Sequence, residues 1–287
     1  MAKKTKTHLL RHIVAVSNYK GGIGKTATVM NLAAAIALRI EGYRVLVIDI
    51  DSSCSLTNLL GWQSERELQG EPTLYTALTN PAQGMPVYQT SRPNLYLCPA
   101  SVNLSAIEAL LNMRANANTG LKEIFGRPLD IRVPEGDGLY ADSGQPTTLS
   151  DTFDYVFIDC QPSNSRMNYN ALYAADGCIV PTELEAESIE KMAKLSVAVG
   201  NVAKETGNLS VHGVLISNYV SKLRTTKFYE PQIRQTFKNT FKTVIRNSKD
   251  VTESRALHED VFASYAGGRA AEDYAALASE YLDKFGK

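Results

Sequence analysis

Seven consecutive residues, Lys20-Gly21-Gly22-Ile23-Gly24-Lys25-Thr26, have the types and spacing to cradle a polyphosphate. Glycines let backbone N–H groups curl toward phosphate oxygens, and a helix opening at the end of the loop adds its partial positive charge. In such a loop Lys25 reaches the β- and γ-phosphates, and the Thr26 hydroxyl ligates Mg²⁺. The chemistry this points to is binding of a nucleoside triphosphate with its metal. Acidic residues at the ends of two apolar runs, Asp49 and Asp51 after Val45-Leu46-Val47-Ile48 and Asp159 after Tyr155-Val156-Phe157-Ile158, could serve the same site.

A phosphate loop works only between a strand and a helix, so those elements must surround it. The apolar, β-branched runs predict strands at Ile13–Ser17, Arg44–Asp49, Leu95–Cys98, Tyr155–Asp159, Cys178–Pro181, Val211–Ser217 and Lys242–Ile245. Thr26–Ile40, rich in Ala and Leu, reads as the helix after the loop. Several strands are almost wholly apolar, the pattern of strands buried on both faces of a parallel sheet. The alternation predicts a three-layer α/β fold, a mostly parallel twisted sheet flanked by helices. The 287 residues carry 44% apolar and 21% charged side chains, which excludes a disordered or fibrous chain.

Residues 1–11 read as a basic flexible tail and 12–287 as one domain. Gly126–Ser150, with four Gly and three Pro, reads as a surface insertion. Cys54, Cys98, Cys160 and Cys178 form no CxxC pair, and His8, His12, His212 and His258 are equally scattered, so neither disulfides nor a zinc site is expected. No apolar run approaches the roughly 18 residues of a membrane span, and the expectation is a cytoplasmic protein.

The loop opens with Lys20 where an ordinary phosphate loop has glycine at position 19, here Tyr19. With the Asp49-Ile50-Asp51 segment, Asp159-Cys160-Gln161-Pro162-Ser163, Ala174-Ala175-Asp176, Ile179-Val180-Pro181 and a Gly268…Tyr274 helix, it resembles the ParA/MinD family of deviant Walker A ATPases, closest to the ParA-type partition proteins. The resemblance covers about residues 12–110 and 150–282. It implies a P-loop ATPase fold with ATP and Mg²⁺ as cofactors, a homodimer when ATP is bound, and Lys20 reaching across to the nucleotide of the other subunit. It further implies that Asp51 orients the attacking water, that Asp49 and Asp159 support the metal, that Asn218 contacts the base, and that Ala27 stands where relatives often carry a Thr for the α-phosphate. The family usually continues Pro-Gln after Asp51; here Ser52-Ser53 follow.

Thirty basic and thirty acidic residues sum to zero charge, but the sum hides a local excess. Between Lys222 and Lys249 stand Lys222, Arg224, Lys227, Arg234, Lys238, Lys242, Arg246 and Lys249 against the single acid Glu230. Arg234 and Lys238, four apart, are expected on one helix face opposite Ile233, Phe237 and Phe241. The resemblance implies that Lys222, Arg224, Lys227, Arg234, Lys238 and Arg246 hold non-specific double-stranded DNA, with a ParB-like centromere-binding partner stimulating hydrolysis at the nucleoid. A MinD-like membrane regulator would need a basic amphipathic C-terminal helix, and Arg269–Lys287, with three basic and four acidic residues, shows no strong apolar stripe. A positioner of a protein cargo remains the other alternative within the family.

Overall fold

Runs of Val, Ile and Leu without polar interruption become the middle of one sheet. The computed structural model describes residues 10–40, 42–62, 68–132 and 147–286. In chain order the elements are β1 (His12–Val16), α1 (Lys25–Arg39), β2 (Val45–Asp49), α2 (Ser55–Leu59), α3 (Leu74–Thr79), β3 (Met85–Gln89), β4 (Leu95–Cys98), α4 (Ile107–Asn112), α5 (Gly120–Phe125), β5 (Leu129–Arg132), α6 (Leu149–Thr152), β6 (Tyr155–Asp159), α7 (Arg166–Ala174), β7 (Gly177–Thr182), α8 (Ala186–Thr206), β8 (Ser210–Tyr219), α9 (Arg224–Thr236), β9 (Thr240–Arg246), α10 (Lys249–Ala256), α11 (Val261–Ser264) and α12 (Arg269–Phe285).

Among the described residues the sheet has nine strands in the order β5-β3-β4-β2-β6-β1-β7-β8-β9. Only β3 and β4 pair antiparallel; β1, β2, β6, β7, β8 and β9 run parallel. Successive side chains of a strand point to opposite faces, so each central strand feeds two cores. Leu46, Ile48, Val156 and Ile158 pack toward the α7–α8 side, while Val45, Val47, Tyr155 and Phe157 pack toward α1 and α12. The expected three-layer architecture is the one observed.

Register matters more for function than the layers do. Asp159 on β6 lies opposite Val16 on β1 and opposite Asp49 on β2. Three strands therefore end level, and the loops after them open on one rim, where ligands of open α/β sheets bind.

Two strands were not expected. β5 lies inside the stretch read as a surface insertion and pairs with β3. β5 is a four-residue edge strand, and β3 beside it has five residues and carries Pro86, so neither shows the long apolar signature of a central strand. At the other end of that stretch Leu149 is buried in α6. Only residues 133–146 of the expected insertion lie outside the described residues, as do residues 1–9 of the expected tail. Arg11 is fixed, its Nη1 donating to the Gly286 carbonyl at 2.8 Å.

α12 also differs from expectation. Ala270, Ala271, Tyr274, Leu277, Ala278 and Tyr281 form a continuous buried stripe. Alanine and tyrosine make it inconspicuous in sequence, yet it packs in one core with Ala33, Ala34 and Ala37 of α1. Beneath its last turn His212 of β8 stacks on Phe285 with ring centroids 3.9 Å apart. His212 Nδ1 lies 3.1 Å from the Tyr281 hydroxyl, and His12 of β1 packs edge-on at 5.1 Å. Gly177 makes this approach feasible, since a Cβ there would overlap the His212 ring.

Candidate functional site: a phosphate loop facing a basic wall

The loop between β1 and α1 takes its shape from backbone that only glycine adopts readily. Gly22 and Gly24 have φ of 77° and 89°, so any side chain there is strained. Asn18, fully buried, fixes the entry: its Nδ2 donates to the Pro181 carbonyl at 2.8 Å and its Oδ1 accepts from the Lys20 N–H at 3.2 Å. At the exit, α1 begins at Lys25 with no acidic residue in its first turn, leaving its N-terminal N–H groups and positive end for an anion.

Lys25 is buried, and its ammonium donates to the carbonyl of Lys20 at 2.7 Å across the loop. Burial lowers its pKa, an effect that the Asp159 charge opposes. Lys20 turns the other way. Its Nζ lies 3.0 Å from Glu183 Oε2 and also pairs with Glu185. Partial burial pulls the Lys20 pKa down, but the two carboxylates outweigh it and raise it overall.

The three aspartates are not equivalent. Asp49 Oδ2 accepts from the N–H and hydroxyl of Thr57 at 2.8 Å each, and its Oδ1 accepts from the Asp51 N–H at 3.1 Å. These bonds fasten α2 to the end of β2. The expectation that Asp49 supports a metal shell therefore meets a carboxylate already engaged on both oxygens. Burial pushes its pKa up to about 6. Asp159, equally buried, keeps Oδ1 without any partner. Burial raises its pKa well above the ordinary carboxylate range, the Asp49 charge adds to that, and a hydrogen bond from Thr26 opposes it. A buried carboxylate oxygen without a donor, beside a Thr hydroxyl at a phosphate loop, is the donor set a hard divalent cation uses. Asp51 sits nearer the opening, with Oδ1 accepting from the Ser53 N–H at 2.9 Å.

Gly21 to Ala27, Asp51, Glu183 and Asn218 line one cavity of about 420 Å³, while Lys20, Asp49 and Asp159 lie outside its lining. Its far wall comes from β9, α10 and α12: Arg246, Asn247, Thr252, Arg255 and Tyr274. Asn218 adopts φ 54°, a left-handed backbone that Asn tolerates. Its Nδ2 donates to Glu183 Oε1 at 3.2 Å, and Asn247 Nδ2 donates to its Oδ1. A polar chain thus runs from Lys20 through Glu183 and Asn218 to Asn247. Glu183 and Asn18 were not singled out in the sequence; only their place after strands of the sheet could have marked them.

The six cations expected to hold DNA fall into separate groups. Lys222, Arg224 and Lys227 stand together, exposed, at the start of α9. Arg234 does not join them: its guanidinium is held by Glu230 at 2.9 Å and the Phe241 carbonyl at 2.8 Å. Lys238 is exposed but lies beyond the end of α9, so it does not share a helix face with Arg234. The length of α9, roughly 18 Å from Arg224 to Thr236, separates it from Arg224. Arg246 lines the cavity wall, where Asp273 and Glu272 of α12 clasp it at 2.8 Å each.

Comparison with known proteins gives consistent matches. The sequence profile of a family described as an AAA domain matches residues 11–129 and 144–211. The chromosome-partitioning ATPase Soj of Thermus thermophilus is 30% identical, covering 94% of this chain and 94% of its own. The sporulation initiation inhibitor protein Soj of Bacillus subtilis is 28% identical over 93% of this chain and 97% of its own. Among solved structures, the cobyrinic acid a,c-diamide synthase of Mycobacterium smegmatis with bound ADP and magnesium superposes with a TM-score of 0.74, at 24% identity, over 97% of both chains.

Proposed function

Because this chain belongs to the ParA/MinD family of ATPases, we propose that it is a ParA-type partition ATPase, which hydrolyses ATP with Mg²⁺ as part of a DNA-bound dimer cycle. The observation that carries the reading is a cavity lined by the Gly21–Thr26 loop and Asp51, with the buried Asp159 carboxylate bonded by Thr26 of that loop and left with one oxygen partnerless.

The backbone N–H groups of Gly21–Thr26 take the β- and γ-phosphates at the N-terminus of α1. Lys25 exchanges the Lys20 carbonyl for phosphate oxygen, which restores a full partner to a buried ammonium. Thr26 and Asp159 hold Mg²⁺. Bound there, the metal neutralises charge on the phosphates and on the carboxylate. Asp49 acts behind this set by fixing α2 and the Asp51 backbone, not as a ligand. Asp51, at the mouth, orients the attacking water. Asn218 and Asn247 face the base.

Lys20 pairs with Glu183, which lines the cavity. In a face-to-face dimer it swings from Glu183 toward the nucleotide of the other subunit and stabilises the transferring phosphoryl charge, so that hydrolysis depends on assembly. Lys222, Arg224 and Lys227 provide a sequence-independent phosphate contact, reversible and salt-sensitive. A centromere-binding protein that stimulates hydrolysis releases the dimer at the nucleoid. The buried stripe of α12 disfavours a membrane-anchored reading, since the C-terminal helix spends its apolar face on α1. No helix among the described residues is long and apolar enough to cross a membrane.

Phosphate release, measured with duplex DNA and with the protein encoded beside this one, tests the reading. Stimulation by both together is expected; turnover indistinguishable from buffer under every combination would contradict it.

A further inference from the structure

The turn between β8 and α9 exposes more apolar surface than its proposed role in gripping phosphates requires. Leu223 is 51% exposed and Phe228 61%, in a chain that buries most of its large apolar side chains. Between and beside them stand Lys222, Arg224 and Lys227, all exposed and, among the described residues, in no ion pair. The carboxylate nearest in sequence, Glu230, is taken by Arg234 and by the Tyr219 hydroxyl.

The exposure is not fraying. Thr226, buried, donates its hydroxyl to the Val220 carbonyl at 2.8 Å, and the Leu223 N–H donates to the same carbonyl at 3.2 Å. Phe228 packs edge-on against Tyr229 with centroids 4.9 Å apart, and Tyr229 packs on the core. The ring is held 61% exposed, next to Lys227 and beside three cations that form no ion pair among the described residues.

A polyanion is the partner this charge pattern fits, and the choice lies between a lipid surface and a nucleic acid. A helix that lies in a bilayer needs a broad apolar face. The next exposed positions of α9 are Pro231, Gln232, Gln235 and Thr236, which offer none. Stacking needs only one exposed ring beside a cationic track, and every base has a face to offer it. We propose that this turn is a contact for single-stranded nucleic acid, in which Lys222, Arg224 and Lys227 hold backbone phosphates and Phe228 stacks on an unpaired base. The inference rests on the proposal that these cations hold DNA and extends it from duplex to single strands.

The test is fluorescence anisotropy of a labelled 20-nucleotide oligo-dT and of a duplex of equal length, across a salt series, with ATP and Mg²⁺. Phe228→Ala is expected to weaken oligo-dT binding at least about fivefold and to leave duplex binding and both salt slopes unchanged. Phe228→Trp is expected to restore it. Because Phe228 is exposed, ATP binding by both variants serves as the folding control. Equal oligo-dT affinity for wild type and Phe228→Ala overturns the stacking inference alone. Co-sedimentation with phosphatidylserine vesicles, lost in Phe228→Ala while oligo-dT binding is not, would assign the turn to a bilayer instead. Unchanged duplex binding after Lys222→Glu, Arg224→Glu and Lys227→Glu together would remove the DNA reading beneath it as well.

Discussion

The Lys20 ammonium lies 3.0 Å from the Glu183 carboxylate of its own chain, and that carboxylate also accepts from Asn218 at 3.2 Å. The cation that the proposed cycle sends across an interface is therefore held back at home, together with Glu185. Both carboxylates are partly exposed, so each pair contributes on the order of 1 kcal/mol or less. That is small enough for a nucleotide in the facing subunit to outcompete.

Neutralising the holders without removing their shape should free Lys20. The double variant Glu183→Gln, Glu185→Gln is expected to raise basal ATP turnover about two- to fivefold, the factor that such weak pairs allow. Steady-state phosphate release checks it. Lys20→Ala should instead abolish partner-stimulated turnover, and normal stimulation in that variant would contradict a role in trans.

Burial of the Asp159 carboxylate carries a cost that the Thr26 hydrogen bond and the Lys25 charge offset only in part. Asp159→Asn removes a buried negative charge beside Asp49, and thermal unfolding of the nucleotide-free protein is expected to rise by about 2 °C or more. The same variant should lose the further rise that Mg²⁺ adds to ATP. Differential scanning fluorimetry with ATP, with and without Mg²⁺, reads both effects. A nucleotide-free variant less stable than wild type would argue that Asp159 is held by partners other than a metal.

His212 gives the apo protein an acid-sensitive joint. Burial first, then the charge of His12, lowers its pKa from 6.5 to about 4. The unfolded chain thus binds this proton more readily, and stability falls as pH drops through the window from 6.5 to 4. Relative to His212→Leu, which cannot titrate, wild type should lose about 3 kcal/mol of unfolding free energy between pH 7.5 and 4. Urea unfolding at the two pH values measures it, and a difference independent of pH would contradict the burial of a neutral ring.

The proposed duplex contact resides in the turn, not in the whole basic segment. Reversing Lys222, Arg224 and Lys227 to Glu should abolish DNA retention and leave ATP binding intact. Arg246→Glu is expected to damage ATP binding itself, because it breaks the clasp by Asp273 and Glu272 in the cavity wall. Parallel nucleotide-binding and gel-retention assays separate the two.

Central strands and the phosphate loop were legible in the sequence because each is a local pattern. The run at Tyr155–Asp159 needs no partner to be recognised, and two glycines with positive φ announce themselves by type. The unexpected features all depend on tertiary company. β5 is a short edge strand and β3 a short strand paired between it and β4, and the α12 stripe is written in Ala and Tyr. A tally of charge could not tell Arg224, in no ion pair among the described residues, from Arg246, which faces acids brought near only by folding, whereas Arg234 meets its neighbour Glu230 one helical turn away. The hold of Asp49 on Thr57 was hidden for the same reason, since it crosses eight residues and a turn.

The central claim is that ATP, and not the chain's charge alone, switches DNA binding on. Retention of a labelled duplex at fixed salt, compared with Mg²⁺ and ATP, with ADP, and with no nucleotide, addresses it in one assay. Retention with ATP alone, absent in Lys20→Ala, is the predicted result; equal retention in all three states would contradict the account.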